Sequence, residues 1–302
     1  MLAHGAIASI ALCVAACHAT STRERACIAV LATISHPTAD ACIEGFVAAW
    51  KDEMGAEPRI EKHCGNGDAA SLRSAMDAAR RAQPDLVLAL GSAAVREACE
   101  RGGTQPIVGA WCFDLAAACG DAPRNLLWGV ETPPPTRQQA ELLASLEPKP
   151  SRIGVVYALT EAIAVRQVAA ARAMLADSGI ELVEQHITEP SQVDAAVREL
   201  ARGHVDAIWK LSDTTVARAS KTLFESCASL RMPVIGDAEA QLAQGAIAVA
   251  FLDFRAAGER AARIAQCALD AKHAETPQWE RFDEPRVLRN EARMRELGIT
   301  LR

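Results

Sequence analysis

The alternation of short apolar, β-branched runs with longer stretches of helical period limits the folds open to this chain more than any other feature. That alternation is the pattern of βαβ units, in which parallel strands are covered on both faces by helices. Strands are expected at 26–33, 59–64, 85–90, 106–111 and 126–130, and again at 151–157, 180–186, 205–210, 232–236 and 247–251. Helices are expected at about 38–53, 68–82, 92–101, 136–146, 160–178, 191–202, 213–230 and 254–271. In the last of these Phe254, Ala257, Ala261, Ile264, Ala265 and Ala268 fall on one face, and Arg255, Glu259, Arg260 and Arg263 lie largely opposite.

Between the two runs stands Thr132-Pro133-Pro134-Pro135, which neither a helix nor a central strand can absorb, because proline has no N–H and a fixed φ. A second start follows it, Ile153-Gly154-Val155-Val156 echoing Ile28-Ala29-Val30-Leu31. A length of 302 residues is enough for two hydrophobic cores. The expected fold is therefore α/β, with two doubly wound parallel-sheet lobes, a hinge and an interlobe cleft. Residues 26–130 with about 250–275 would form lobe 1, and 131–249 with about 276–302 lobe 2. The polar stretch from Thr276, with one short helix near 290–297, would wrap the outside.

The amino-terminal segment stands apart from this pattern. Leu2 to Ala16 is almost wholly apolar, too short to span a bilayer, and ends at Val14-Ala15-Ala16-Cys17 before the polar run His18 to Arg25. Residues 1–16 read as a lipoprotein signal and Cys17 as the residue that takes the lipid, which places the chain outside the cytoplasm and on the membrane only through that anchor. A secretory signal cut near Ala19 and a buried helix are the alternatives. Ten cysteines, eight of them beyond Cys17, permit disulfides in an oxidising compartment, and Cys112 with Cys119 is the candidate pair because the two bracket one short loop. No CxxC and no zinc-type Cys/His spacing occurs in the sequence, so no metal site and no cofactor is expected. A net charge of −6 excludes nucleic acid as a partner, since nothing here would neutralise a row of phosphates.

Ligands of open parallel sheets sit beyond the carboxyl ends of the strands. The residues following the expected strands supply the candidate ligand contacts: Ser35 and His36; Ser92 and Ala93; Trp111 and Phe113; then, in the second lobe, Tyr157 and Thr160, Trp209, Ser212, Asp213 and Thr214, and Asp237. Aromatic residues make up 4% of the chain, yet Trp111, Phe113, Tyr157 and Trp209 all fall at strand ends, where they would clamp an apolar or planar ligand. The competing reading is that Trp111 and Trp209 plug the cores and that Ser92, Ser212, Thr160, Asp213 and Asp237 only cap helices.

These residues carry a family resemblance over about residues 26–275. The turn His36-Pro37 with Asp40, Gly45-Phe46, Asn66-Gly67-Asp68, Gly91-Ser92-Ala93-Ala94, Arg152 to Tyr157, Val205-Asp206-Ala207-Ile208, Ser212-Asp213-Thr214-Thr215-Val216 and Pro233 to Asp237 with Gly245-Ala246, in this order, resemble the ABC transporter substrate-binding proteins whose better-known members take up aromatic amino acids. The resemblance implies the type I periplasmic binding protein fold, a monomer that hands a small molecule to an ABC permease in the cytoplasmic membrane, and no catalysis. Two amide side chains of that family are replaced, at Ala158 or Ile163 and at Thr214, which favours a less polar ligand than an amino acid. The same clamshell would also serve as the ligand-sensing partner of a membrane receptor. Gly65-x-Gly67-x-x-Ala70 imitates a dinucleotide fingerprint, but the strand before it is polar and Asp85 begins a strand instead of ending one. A two-lobe racemase would need a thiol from each lobe; Cys112 qualifies by position, whereas Cys227 falls in mid-helix.

Overall fold

Every expected strand forms, with ends within two residues of those read from the sequence. The computed structural model describes residues 26–101, 103–122, 126–270 and 279–302; the expected signal 1–16 and Cys17 lie outside the described residues. The first lobe is built by β1 (Cys27–Ala32), α1 (Pro37–Met54), β2 (Arg59–Cys64), α2 (Ala69–Arg81), β3 (Leu86–Leu90), α3 (Ser92–Arg101), β4 (Ile107–Cys112), α4 (Leu115–Cys119) and β5 (Leu127–Glu131). The second holds α5 (Thr136–Ala144), β6 (Leu146–Glu147), β7 (Arg152–Tyr157), α6 (Ala162–Asp177), β8 (Glu181–His186), α7 (Val193–Arg202), β9 (Ala207–Trp209), α8 (Thr214–Ala217), α9 (Ser220–Ser229), β10 (Val234–Gly236), α10 (Gln241–Gln244) and β11 (Ala248–Leu252). The chain returns to the first lobe for α11 (Phe254–Asp270) and β12 (Trp279–Arg281), then crosses back for β13 (Pro285–Arg289), α12 (Glu291–Leu297) and β14 (Thr300–Leu301).

The two sheets run β12-β5-β4-β3-β1-β2 and β13-β11-β10-β9-β7-β8. All their pairings are parallel except β13 against β11. Strands β1, β3 and β11 are buried along their whole length, which is why they read as continuous apolar runs, while the edge strands β2 and β8 are polar and half-exposed. In each sheet the strand order reverses beside the first strand of the lobe, β1 in one and β7 in the other. The crevice for a ligand opens at such a reversal, so the loops after β1, β3, β7 and β9 are the ones the topology brings to the cleft.

Helix α11 belongs to the first lobe because of two glycines. A Cβ on Gly45 of α1 would strike the Arg255 carbonyl oxygen, and one on Gly258 of α11 would strike that of Cys42, so the two helices meet backbone to backbone. Phe46 and Trp50 stack beneath them, ring centroids 5.7 Å apart, in a core that also takes Ala257, Ala261 and Ala265.

The carboxyl-terminal stretch departs from the expected layout. The sequence pattern places about 276–302 in lobe 2, yet Trp279–Arg281 adds parallel to β5 in the first sheet, and only from Pro285 does the chain pair with β11. Each piece covers an otherwise open sheet edge. The expected helix 213–230 divides into α8 and α9. Three connections therefore cross between the lobes, at 132–135, at Asp253 and at 282–284. Ion pairs flank them, Arg260 with Glu280 (3.4 Å) and Glu284 (2.5 Å), and Arg286 with Asp253 (3.3 Å).

Candidate functional site

On the first lobe the candidate site is a stacked pair of rings. His36 is extended, at φ −154° and ψ 143°, and caps α1, its Nδ1 accepting the Thr38 N–H at 3.2 Å. Trp111 takes φ +48°, a left-handed conformation rare in a bulky residue, where the register of β4 on β5 shifts between Gly109 and Cys112. Such strain costs on the order of 1–3 kcal/mol and persists where the surroundings impose it. Its effect is to turn the indole against His36, with centroids 5.5 Å apart and planes at 21°. Burial, then the Lys210 ammonium, hold the His36 imidazole below its ordinary value against the smaller pulls of Asp237 and Asp40. A neutral ring whose Nδ1 accepts must carry its proton on Nε2.

Around these rings the other loops are closed by local bonds. The Thr33 hydroxyl donates to the Leu90 carbonyl (3.2 Å) and accepts from Ala94 N–H at the start of α3 (3.1 Å), which requires Gly91, at φ +96°, to pass close by. Ser92 Oγ lies 3.4 Å from Cys112 Sγ; Ser35 and Ala93 are exposed on the rim.

The second lobe answers with charge. Lys210, directly after β9, has its side chain 4% exposed, and its Nζ lies 2.6 Å from Asp237 Oδ1. Asp237 also accepts from Gln241 Nε2 (2.7 Å) and Ser212 Oγ (3.2 Å), and its N–H donates to Gln241 Oε1 (2.9 Å). A buried ion pair is tolerable only with such additional bonds. Lys210 follows β9, at the sheet reversal that opens the cleft, and the charges of the pair reach the His36 imidazole of the first lobe. At the mouth, Arg166 of α6 reaches across to Asp114 (3.4 Å), its guanidinium 5.2 Å from the centre of the Phe113 ring.

Two residues expected in the cleft point into the core of the second lobe, and a third, Asp213, is taken up by backbone beside Lys210. Trp209 is fully buried in the core of the second lobe, its indole N–H donating to Gln139 Oε1 at 3.2 Å. Gln139 in turn donates to the Ala250 carbonyl (2.9 Å) and accepts from Gln167 Nε2 (3.2 Å), and Gln167 accepts from Ser212 N–H (2.9 Å). Tyr157 continues the core face of Ile153 and Val155 and turns its hydroxyl to Glu184 (2.5 Å) and His186 (3.0 Å) at the far edge. Asp213 is 3% exposed, one oxygen accepting from Ala158 N–H and the other from Val216 N–H, both at 2.8 Å. It is a clamp between two loops. Thr160 and Thr214 are exposed, and Glu161 beside them is held by Thr214 and Thr215.

The expected Cys112–Cys119 disulfide is absent. Both are free thiols, because α4, capped by Asp114, carries Cys119 to the Ala122 carbonyl (3.6 Å) while Cys112 remains by Ser92. Cys227 is sealed in the core of the second lobe, where burial pushes its thiol up to about 12. Lys210 and Gln241 are residues of the candidate cleft that the contacts chosen from the sequence do not include. A lysine ending the apolar strand Ala207-Ile208-Trp209 was the available signal.

The family model for ABC transporter substrate-binding proteins matches residues 27–302. The chain belongs to that family. Its relatives include a tyrosine-binding protein of Clostridioides difficile, 22% identical over 93% of this chain and 83% of that one. Among solved structures, a protein of Streptococcus pneumoniae described as an ABC domain in complex with L-Trp superposes at a TM-score of 0.80, with 25% identity over 92% of this chain and 96% of the other. A conserved domain protein from Vibrio cholerae superposes at 0.81, with 24% identity and the same coverage. The architecture is that of type I periplasmic binding proteins, a periplasmic ribose ABC transporter component from Conexibacter woesei aligning at 0.67. Membership in this substrate-binding family implies a small-molecule ligand and a permease partner. Among the described residues no helix is long and apolar enough to cross a membrane.

Proposed function

We propose that the chain is the extracytoplasmic solute-binding component of an ABC importer, and that its two lobes close on one small ligand with an apolar or aromatic body. One observation carries the reading: the stacked His36–Trp111 pair of the first lobe and the Lys210–Asp237 pair of the second both lie beyond strand ends on the cleft side, within electrostatic reach of each other. A flat apolar group would lie on the indole, and its polar end would meet Lys210, so that binding joins the lobes. The three crossing connections form the hinge. Relatives whose names record tyrosine and L-Trp agree with an aromatic ligand. The protein performs no chemistry of its own in this reading, and the placing of Cys227 away from the cleft supports that over a two-thiol racemase.

Lipid attachment at Cys17 would hold the protein, as a monomer, beside the permease that takes the ligand. The test of the function is titration of the purified protein with L-tryptophan, L-tyrosine and aromatic carboxylates, followed by indole fluorescence and calorimetry. Saturable binding that is lost on removing the Trp111 ring is expected; binding that survives its removal contradicts the assignment of the site.

A further inference from the structure

At the polar end of the cleft, buried N–H donors are left over beside carboxylates that already accept. Lys210 Nζ carries three N–H groups, and among the described residues Asp237 Oδ1 is the acceptor it reaches. The other two are left on a side chain 4% exposed, where an unmet donor on a charged group is costly. From the opposite lobe His36 adds an Nε2–H, its Nδ1 being occupied by Thr38 N–H. The carboxylates nearby already accept, Asp40, which also acts on His36, pairing with Lys62 (3.5 Å). Asp237 takes Lys210 and Gln241 on one oxygen and Ser212 on the other. Asp213 takes a backbone N–H on each oxygen, Glu161 is held by Thr214 and Thr215, and Asp114 by Ala117 N–H and Arg166. Asp253 caps α11 and pairs with Arg286. An ammonium group entering the cleft would meet the Lys210 charge and share carboxylates that already hold donors, whereas a carboxylate would complete the unfinished set on Lys210.

Resting on the proposed solute-binding function, we infer that the cleft is built for an aromatic or apolar carboxylate that lacks an α-ammonium group, with Lys210 and His36 as the residues that set this specificity. The carboxylate bridges Lys210 Nζ of one lobe and His36 Nε2 of the other, and so couples recognition of the anion to closure. The replacement of two family amides, at Ala158 or Ile163 and at Thr214, agrees with the loss of contacts suited to an amino acid.

Calorimetry on the wild-type protein with matched pairs tests this: L-tryptophan against 3-(indol-3-yl)propanoate, L-phenylalanine against 3-phenylpropanoate, and 3-methylindole as the uncharged control. The propanoates are expected to bind about tenfold or more tighter than their amino acids and than 3-methylindole, the factor that a hydrogen bond to a charged group is worth. The double variant Lys210→Met with Asp237→Asn, which leaves neither charge buried alone, should bring the propanoates down to the level of 3-methylindole. Equal or tighter binding of the amino acids overturns the inference and leaves the aromatic cleft standing. Failure of every probe removes the aromatic cleft itself, and this inference falls with it.

Discussion

Asp213→Ala takes the acceptor from two backbone N–H groups at once, those of Ala158 after β7 and Val216 in α8, each 2.8 Å from a carboxylate oxygen. Loss of the cap on α8 costs about 0.5–2 kcal/mol. Leaving the Ala158 N–H buried and unpaired adds about 1–3 kcal/mol. Against this, burial already disfavours the ionised carboxyl and raises its pKa, and that cost leaves with the side chain. A net loss of about 1.5–4 kcal/mol results, which at about 2–4 °C per kcal/mol lowers the thermal midpoint by roughly 3–16 °C. Differential scanning calorimetry reads the midpoint, and titration of the folded variant reads affinity. A midpoint within about 1 °C of the parent together with abolished binding would refute the clamp and make Asp213 a ligand contact.

His36 is held below its usual value of 6.5 by burial and Lys210, so below that pH the unfolded chain takes up a proton that the folded chain does not. Stability present above pH 6.5 is therefore lost as pH falls toward the folded value. His36→Asn keeps an acceptor for Thr38 N–H and should remove that part of the slope in denaturation series from about pH 7.5 to about pH 5; an unchanged slope assigns it to another group. Trp111→Gly relieves the left-handed strain and deletes the platform, so the fold should hold while affinity for an aromatic probe drops by about tenfold or more. Arg166→Ala removes an exposed pair worth about 0–1 kcal/mol, and affinity should change by less than about fivefold; a larger loss makes Arg166 a contact. Cys17→Ala should release the protein from the membrane fraction, and retention there would exclude the anchor.

Strand positions were legible because buried parallel strands leave continuous apolar runs, and the break at Thr132 to Pro135 marks where one sheet gives way to the other. The path of the last residues was not, since Trp279–Arg281 and Pro285–Arg289 are short, polar edge strands whose partners are set by the sheets they cover. Within the site, alternation decides. Tyr157 shares the parity of Ile153 and Val155 and Trp209 that of Ala207, so both point into the core of the second lobe, and Lys210, one residue on, does not. Trp111 escaped this rule, as a register shift and a left-handed φ re-aim it, and no local pattern in Ala110-Trp111-Cys112 records either. Asp213 and Gln139 were opaque for another reason: their partners lie 55 and 111 residues away in the chain.

Closure of two lobes on one small ligand is read most directly by small-angle X-ray scattering of the free protein and of the protein with 3-(indol-3-yl)propanoate at a concentration where calorimetry shows the site full. The expected result is a smaller radius of gyration with the ligand than without it. An unchanged radius with the site occupied would contradict a cleft that closes through His36, Trp111 and Lys210.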